Sequence, residues 1–155
     1  MASRRPMVIV PPQPQQIQAG DSLGARATVT GSTANPTSAN AAFVVIPEMT
    51  LTVTTIGGQL LALFDADFHI AAVADNFNYA LFLDGVEIAG TRRQVSCNLA
   101  VTLGLLTVDT LAPCSAHALI TLAAGSHTVD TRWAAIGGSA RANDTQRKLT
   151  VIELF

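Results

Sequence analysis

Residues 46–70, IPEMTLTVTTIGGQLLALFDADFHI, alternate in a way that admits one local structure. Met49, Leu51 and Val53 fall on one side, and Thr50, Thr52 and Thr54 on the other. Side chains two apart share a face only in an extended strand. After Gly57-Gly58, which read as a turn, the alternation resumes. Leu60, Ala62, Phe64, Ala66, Phe68 and Ile70 share one face. The other face begins apolar at Leu61 and Leu63 and ends polar at Asp65, Asp67 and His69. A strand apolar on both faces at one end is covered on both sides there. One face meets the core, and a subunit interface is one way to cover Leu61 and Leu63.

The β pattern continues along the chain. NYALFLDGVEIAG reads as a hairpin with Asp84-Gly85 at its turn. LAVTLGLLTVDTLA and HALITL are two further strand candidates, 123–125 a turn, and SHTVDTRWAAI a strand. IGGSARANDTQ reads as a loop and KLTVIEL as a last strand. No segment keeps a helical period over more than about ten residues. Seven or eight short strands with glycine turns predict an all-β sandwich or barrel.

Residues 1–41 differ. PPQPQQIQAGDSLG and TGSTANPTSANAA are rich in Pro, Gln, Ser, Thr and Asn, and cannot build a core. They predict an extended arm before a folded domain over 42–155. Its apolar points, Met7, Val8, Ile9, Val10 and Ile17, are the residues expected to dock on a partner.

Composition sharpens the interface argument. Hydrophobic residues make up 49% of the 155 and charged residues only 13%, about half the usual charged share. Too few charges remain to cover a monomer generously, so part of the surface is expected to lie in an assembly. The net charge of −2 argues against general nucleic-acid binding. No apolar run approaches the roughly 20 residues of a membrane span. The patch Met7–Val10 after Arg4 and Arg5 is too short for a secretion signal, so an intracellular product is expected. Cys97 and Cys114 then default to free thiols. They lie near the ends of one apolar run, which leaves a disulfide open, and their spacing fits no zinc motif.

Two constellations bear on chemistry. Ser126, His127 and Asp130 lie within five positions. In a strand, His127, Val129, Thr131 and Trp133 share a core face, whereas Ser126, Thr128, Asp130 and Arg132 look outward. A nucleophile and its base must be within hydrogen-bond reach, so the local triad fails on period. Asp65, Asp67 and His69 do share a face and are metal-ligand types. Residues two apart on a strand stand about 6–7 Å apart, so convergence on one ion needs another chain or a symmetry axis. Hydrolase, metalloprotease, phosphate-loop and CxxC motifs are absent. No enzyme activity, cofactor or metal is expected, and a small-molecule substrate is not.

The segments IPEMTLTVTTIGGQLLALF (46–64), LFLDGVEIAG (81–90), LAAGSHTVDTRW (122–133) and RKLTVIEL (147–154) resemble, in kind and order, compact jelly-roll domains. These are the tumour-necrosis-factor and complement globular-head domains, as they occur in bacteriophage structural proteins. The resemblance implies a two-sheet jelly roll that forms a homotrimer about a three-fold axis. It implies a virion component, made in the host cytoplasm and placed on the capsid surface. A short arm plus one trimer-forming domain suits a decoration or cement protein bound to the major capsid protein lattice. The alternative is a receptor- or glycan-binding head of a fibre. That head would use loops at 71–78, 91–98 and 136–146, with Asn76, Asn78, Tyr79, Arg92, Arg93, Arg141 and Asn143.

Overall fold

The computed structural model describes residues 26–33, 36–70, 76–96, 110–137 and 140–154, with side chains for all of these except 70, 110 and 140–146. It holds two antiparallel sheets, and no helix among the described residues. The first sheet runs β1 (Arg26–Thr30), β10 (Ala140–Leu154), β4 (Gly58–Ile70), β8 (Thr110–Leu122), with β2 (Thr37–Ser38) also on β10. The second runs β3 (Val44–Thr55), β9 (Gly125–Gly137), β5 (Asn76–Leu83), β6 (Val86–Glu87), with β7 (Arg93–Ser96) on β5. Successive long strands alternate between sheets: β3, β5 and β9 in one, β4, β8 and β10 in the other. This chain path makes a two-sheet jelly roll, as expected.

The alternation read in the sequence sets the core. Leu60, Ala62, Phe64, Ala66 and Phe68 of β4 face inward and are buried, as are Met49 and Val53 of β3. Phe68 is central. Its ring meets Phe77 edge-on at 4.9 Å, Tyr79 at 5.1 Å and Trp133 at 6.3 Å. Tilted and edge-on pairs at these separations add to the burial of large rings. The Tyr79 hydroxyl donates to the Ser115 carbonyl at 3.0 Å, a polar tie from one sheet to the other. The hairpin turn is where it was expected. Asp84 and Gly85 both have positive φ, 48° and 82°, as a two-residue turn matched to strand twist requires.

Two expectations are corrected, and a third gains a cover. The arm does not extend to residue 41, because β1 pairs with β10 from Arg26↔Ile152 to Thr30↔Lys148 and β2 pairs further along. RATVT alternates, and its two small apolar residues, Ala27 and Val29, pack on the core. The segment 136–146 is no simple loop: β9 reaches Gly137 and β10 begins at Ala140. Ala140 and Arg141 pair with β2 and Ala142 with β4, and the register then shifts before Arg147. Asp130 faces away from the core yet is only 4% exposed. Arg132 clamps it with two bonds, at 2.6 and 2.9 Å, and lies 4.4 Å above the Phe82 ring. Phe43 packs on Phe82 at 5.3 Å, and Arg92, paired with Glu87, lies 5.1 Å above Phe43.

The start of the described chain is fastened by buried charge. Arg147 is fully buried. Its guanidinium donates to the carbonyls of Pro47 (3.3 Å) and Thr33 (3.1 Å) and to the Glu48 carboxylate (2.8 Å). A buried cation persists only when paired and hydrogen-bonded like this. Glu48 accepts in turn from the Ser32 hydroxyl (2.6 Å), the Thr33 amide (3.0 Å) and the Ser32 amide. Glu48 has φ +68°, at the point where the β3–β9 register shifts. That strained backbone aims its carboxylate back at residues 31–33.

Two outcomes follow. Phe68→Ala is expected to cost about 3–5 kcal/mol, read in urea through the emission of Trp133; a loss under about 1 kcal/mol would remove Phe68 from the centre of the core. Glu48 is held from 4.5 down to about 2, first by the Ser32 hydroxyl, then by the Thr33 and Ser32 amides. A lowered carboxylate pKa gives stability that is complete above 4.5 and lost as pH falls towards 2. Wild type should therefore lose more stability over that window than Glu48→Gln; equal slopes would contradict this role.

Candidate interaction surface

The pairing register places the outward residues of the first sheet in rows. Arg26, Ile152, Leu61 and Leu119 form one row across β1, β10, β4 and β8. Thr28, Thr150, Leu63 and His117 form the next, with the Thr28 and Thr150 hydroxyls 3.2 Å apart. Thr30, Lys148, Asp65 and Ser115 form the third. The face thus grades from apolar at Ile152–Leu61–Leu119 to charged at Lys148 and Asp65. Leu61 and Leu63 are half-buried, and Leu119 is 56% exposed. Leu61 and Leu63 lie on the outward face, where the alternation put them. Period alone could not show Leu119 and Ile152 beside them, because that needs the register of two other strands.

Asp65, Asp67 and His69 also share this face. Across the ladder they meet Ser115, Pro113 and Leu111, none of which adds a strong metal ligand. Among the described residues no three His, Cys, Asp or Glu side chains gather to hold an ion. A shallow cleft of about 280 Å³ opens here, lined by Asp65, Ala66, Asp67, Pro113, Cys114 and Ser115. Proline supplies no ladder N–H, which suits β8 to the edge of its sheet.

Cys114 is a free, half-buried thiol on β8. Burial pushes its pKa above the ordinary value, and burial does the same to the Tyr79 phenol beside it. Cys97 lies outside the described residues, as do Met7, Val8, Ile9, Val10 and Ile17.

The Ser126–His127–Asp130 group separates as the strand period requires. Asp130 belongs to Arg132, and Ser126 lies on the other face of β9, exposed. His127 instead meets Asp84: Nδ1 is 2.8 Å from Asp84 Oδ2, and Nε2 is 3.1 Å from the Ala123 carbonyl. With both ring nitrogens engaged, none faces a nucleophile. The Asp84–His127 pair was not legible, because its partners are 43 residues apart in the chain. Of the loop residues expected to touch a glycan, Tyr79 is 3% exposed, in the core. Asn76 and Asn78 lie in β5 and Arg93 in β7, and Asn76 accepts from Gln94 at 2.9 Å. Arg141 and Asn143 fall in β10, outside the described side chains.

No family model matches the sequence, and no curated protein does. Solved structures do match. The Eiger tumour necrosis factor of S. frugiperda superposes with a TM-score of 0.54 at 14% identity, over 86% of this chain and 94% of that one. The fold is that of a tumour-necrosis-factor head. The VP2 subviral particle of infectious bursal disease virus matches at a TM-score of 0.45 and 19% identity, over 96% of this chain and 37% of that one. The latent PorU dimer of Porphyromonas gingivalis matches at 0.45 and 15%, over 90% of this chain and 14% of that one.

The tumour-necrosis-factor-like sandwich leaves Cys114 poorly placed to react. In a Cys97→Ser variant, Cys114 is expected to react with an aromatic disulfide reagent far more slowly when folded than in urea, at neutral pH. Equal rates would mean an accessible thiolate.

Proposed function

We propose that this chain is a structural virion protein of a tailed bacteriophage: a homotrimer on the capsid surface, tied to the major capsid protein lattice by its N-terminal segment. The observation that carries the reading is the row Ile152–Leu61–Leu119. It lies on the outer face of a sheet whose inner face already holds the core. A second apolar face needs a second cover. Three copies related by rotation would supply it, each presenting the same patch to a neighbour.

The sparse charge and the jelly-roll resemblance support the same reading. Residues 1–25, with Met7, Val8, Ile9, Val10 and Ile17, provide the tether. Trimerisation would multiply weak tether contacts by avidity. A protein that binds only the assembled shell stabilises that shell by mass action.

Light scattering behind a sizing column should give a mass about three times the 16.1 kDa chain. Leu61→Glu and Leu119→Glu should each move it towards 16.1 kDa, since a carboxylate in an apolar interface is left unpaired. A monomeric wild type, or trimers indifferent to both changes, would overturn the interface. Deletion of residues 1–25 should leave the trimer and abolish co-sedimentation with capsids that lack the protein. The deletion stops there because β1 starts at Arg26 and belongs to the sandwich. Retained co-sedimentation would remove the tether role.

A further inference from the structure

Three turns meet at one end of the sandwich. They are Ile56–Gly57 between β3 and β4, Asp84–Gly85 between β5 and β6, and Ala123–Ala124 between β8 and β9. His127 stands among them at the start of β9, with 17% of its side chain exposed.

Its surroundings are specific. Asp84 Oδ2 lies 2.8 Å from Nδ1, and the Ala123 carbonyl 3.1 Å from Nε2. Both are acceptors: a carboxylate and a carbonyl. A neutral imidazole has one N–H and one lone pair, and only the cation carries two donors. The geometry is therefore satisfied by the imidazolium alone. Asp84 is itself fixed: its Oδ1 accepts from the Thr128 amide at 2.7 Å, and its own amide donates to the Thr128 carbonyl at 2.8 Å.

We propose that His127 is a proton-operated clasp, which ties the β8–β9 turn to the β5–β6 turn when both ring nitrogens are protonated and lets go of the β8–β9 turn when one proton leaves. The proton that leaves is the one on Nε2. Keeping the Nδ1 proton preserves the bond to a charged acceptor, the stronger kind. The opposite tautomer would set a lone pair against the Asp84 carboxylate. The Ala123 carbonyl tolerates the loss, because the Thr55 hydroxyl also donates to it at 3.0 Å.

The groups around the ring are few. Asp84 is the charged group that acts on it. β3 sets Val53 opposite it in the ladder, and the β8–β9 turn offers Ala123 and Ala124. Glu153 of β10, at the same end, holds the Ile56 amide at 2.8 Å. Asp130 and Arg132 lie on the other face of β9. The hydrogen bond that the ring donates to Asp84, then the one it donates to the Ala123 carbonyl, raise the His127 pKa above 6.5. His127 in turn holds Asp84 below 3.8. A raised histidine pKa contributes stability that is complete below 6.5 and lost as pH rises through the folded value. The clasp is therefore closed in mild acid and opens on the alkaline side. It stands independently of the capsid reading.

The test is an NMR titration of the full-length protein, following the His127 ring nitrogens and the Ala123 carbonyl carbon. The expected result is a His127 midpoint above 6.5, with Nε2 as the site that deprotonates. The Ala123 carbonyl should shift with the same midpoint, while the Thr128 amide stays bonded. In Asp84→Asn, which suits the positive φ at this position, both midpoints should fall back towards 6.5. A His127 midpoint at or below 6.5 in wild type, deprotonation at Nδ1, or an Ala123 carbonyl that ignores the titration would each overturn the clasp. The wild-type titration decides the matter even where the variant does not fold.

Discussion

A two-sheet sandwich has one interior, and this chain has more apolar strand surface than one interior can take. That constraint organises the molecule. The inner face of β4 goes to the core, where Phe68 meets rings from β5 and β9. The outer face of the same strand then has to present Leu61 and Leu63 away from it. Alanines at 62 and 66 alternate with Phe64 and Phe68 along the inner face of β4, and Ala116 lies opposite Phe64 on β8; the second sheet contributes the rings of Phe77, Tyr79 and Trp133. The apolar row outside is the remainder of this division, and any account of function has to cover it.

The second organising element is polar. Arg147 sits fully buried where β10 shifts register, opposite a displaced stretch of β3. Gly31 passes so close that a Cβ there would stand 2.3 Å from the guanidinium. The chain entering the sandwich therefore crosses over a buried cation and is held by the carboxylate that pairs with it. Apolar residues of the same size would fill the space. They would not fix which carbonyls, Pro47 and Thr33, face inward.

Much of the fold was legible because period two holds along β4 and in β3 from Met49 to Val53, beyond the shift at Glu48. The inner and outer sets of β4 could be written down without coordinates, and the Asp84-Gly85 turn follows from residue type. What was missed depended on partners far along the chain. RATVT has only two small apolar residues, and it becomes a strand because β10 lies beside it. ARANDTQ reads as a loop from its polarity, and its first three residues join the ladder through β2 and β4. Asp130 has the outward direction its period dictates, but Arg132, Phe82 and Phe43 build a lid over that face. His127 lies at the strand end, where the core face runs out and Asp84 reaches it. Of the candidate surface, Leu61 and Leu63 were visible and Leu119 was not, since only register brings it alongside.

The position of β10 has a consequence for how the protein is made. Late in sequence, it is nevertheless an inner strand, flanked by β1 on one side and β4 on the other. Until residues 147–154 have been synthesised, β1 has no neighbour, β4 has a bare edge, and Leu149 and Val151 are missing from the core. Almost every ladder in the sandwich joins segments distant in sequence, a pattern that folds slowly because loops must close before contacts reward them. A nascent chain of this kind emerges with its apolar strands unpaired. Its sparse charge then leaves little to keep neighbouring chains on a polysome apart, until β10 inserts between β1 and β4.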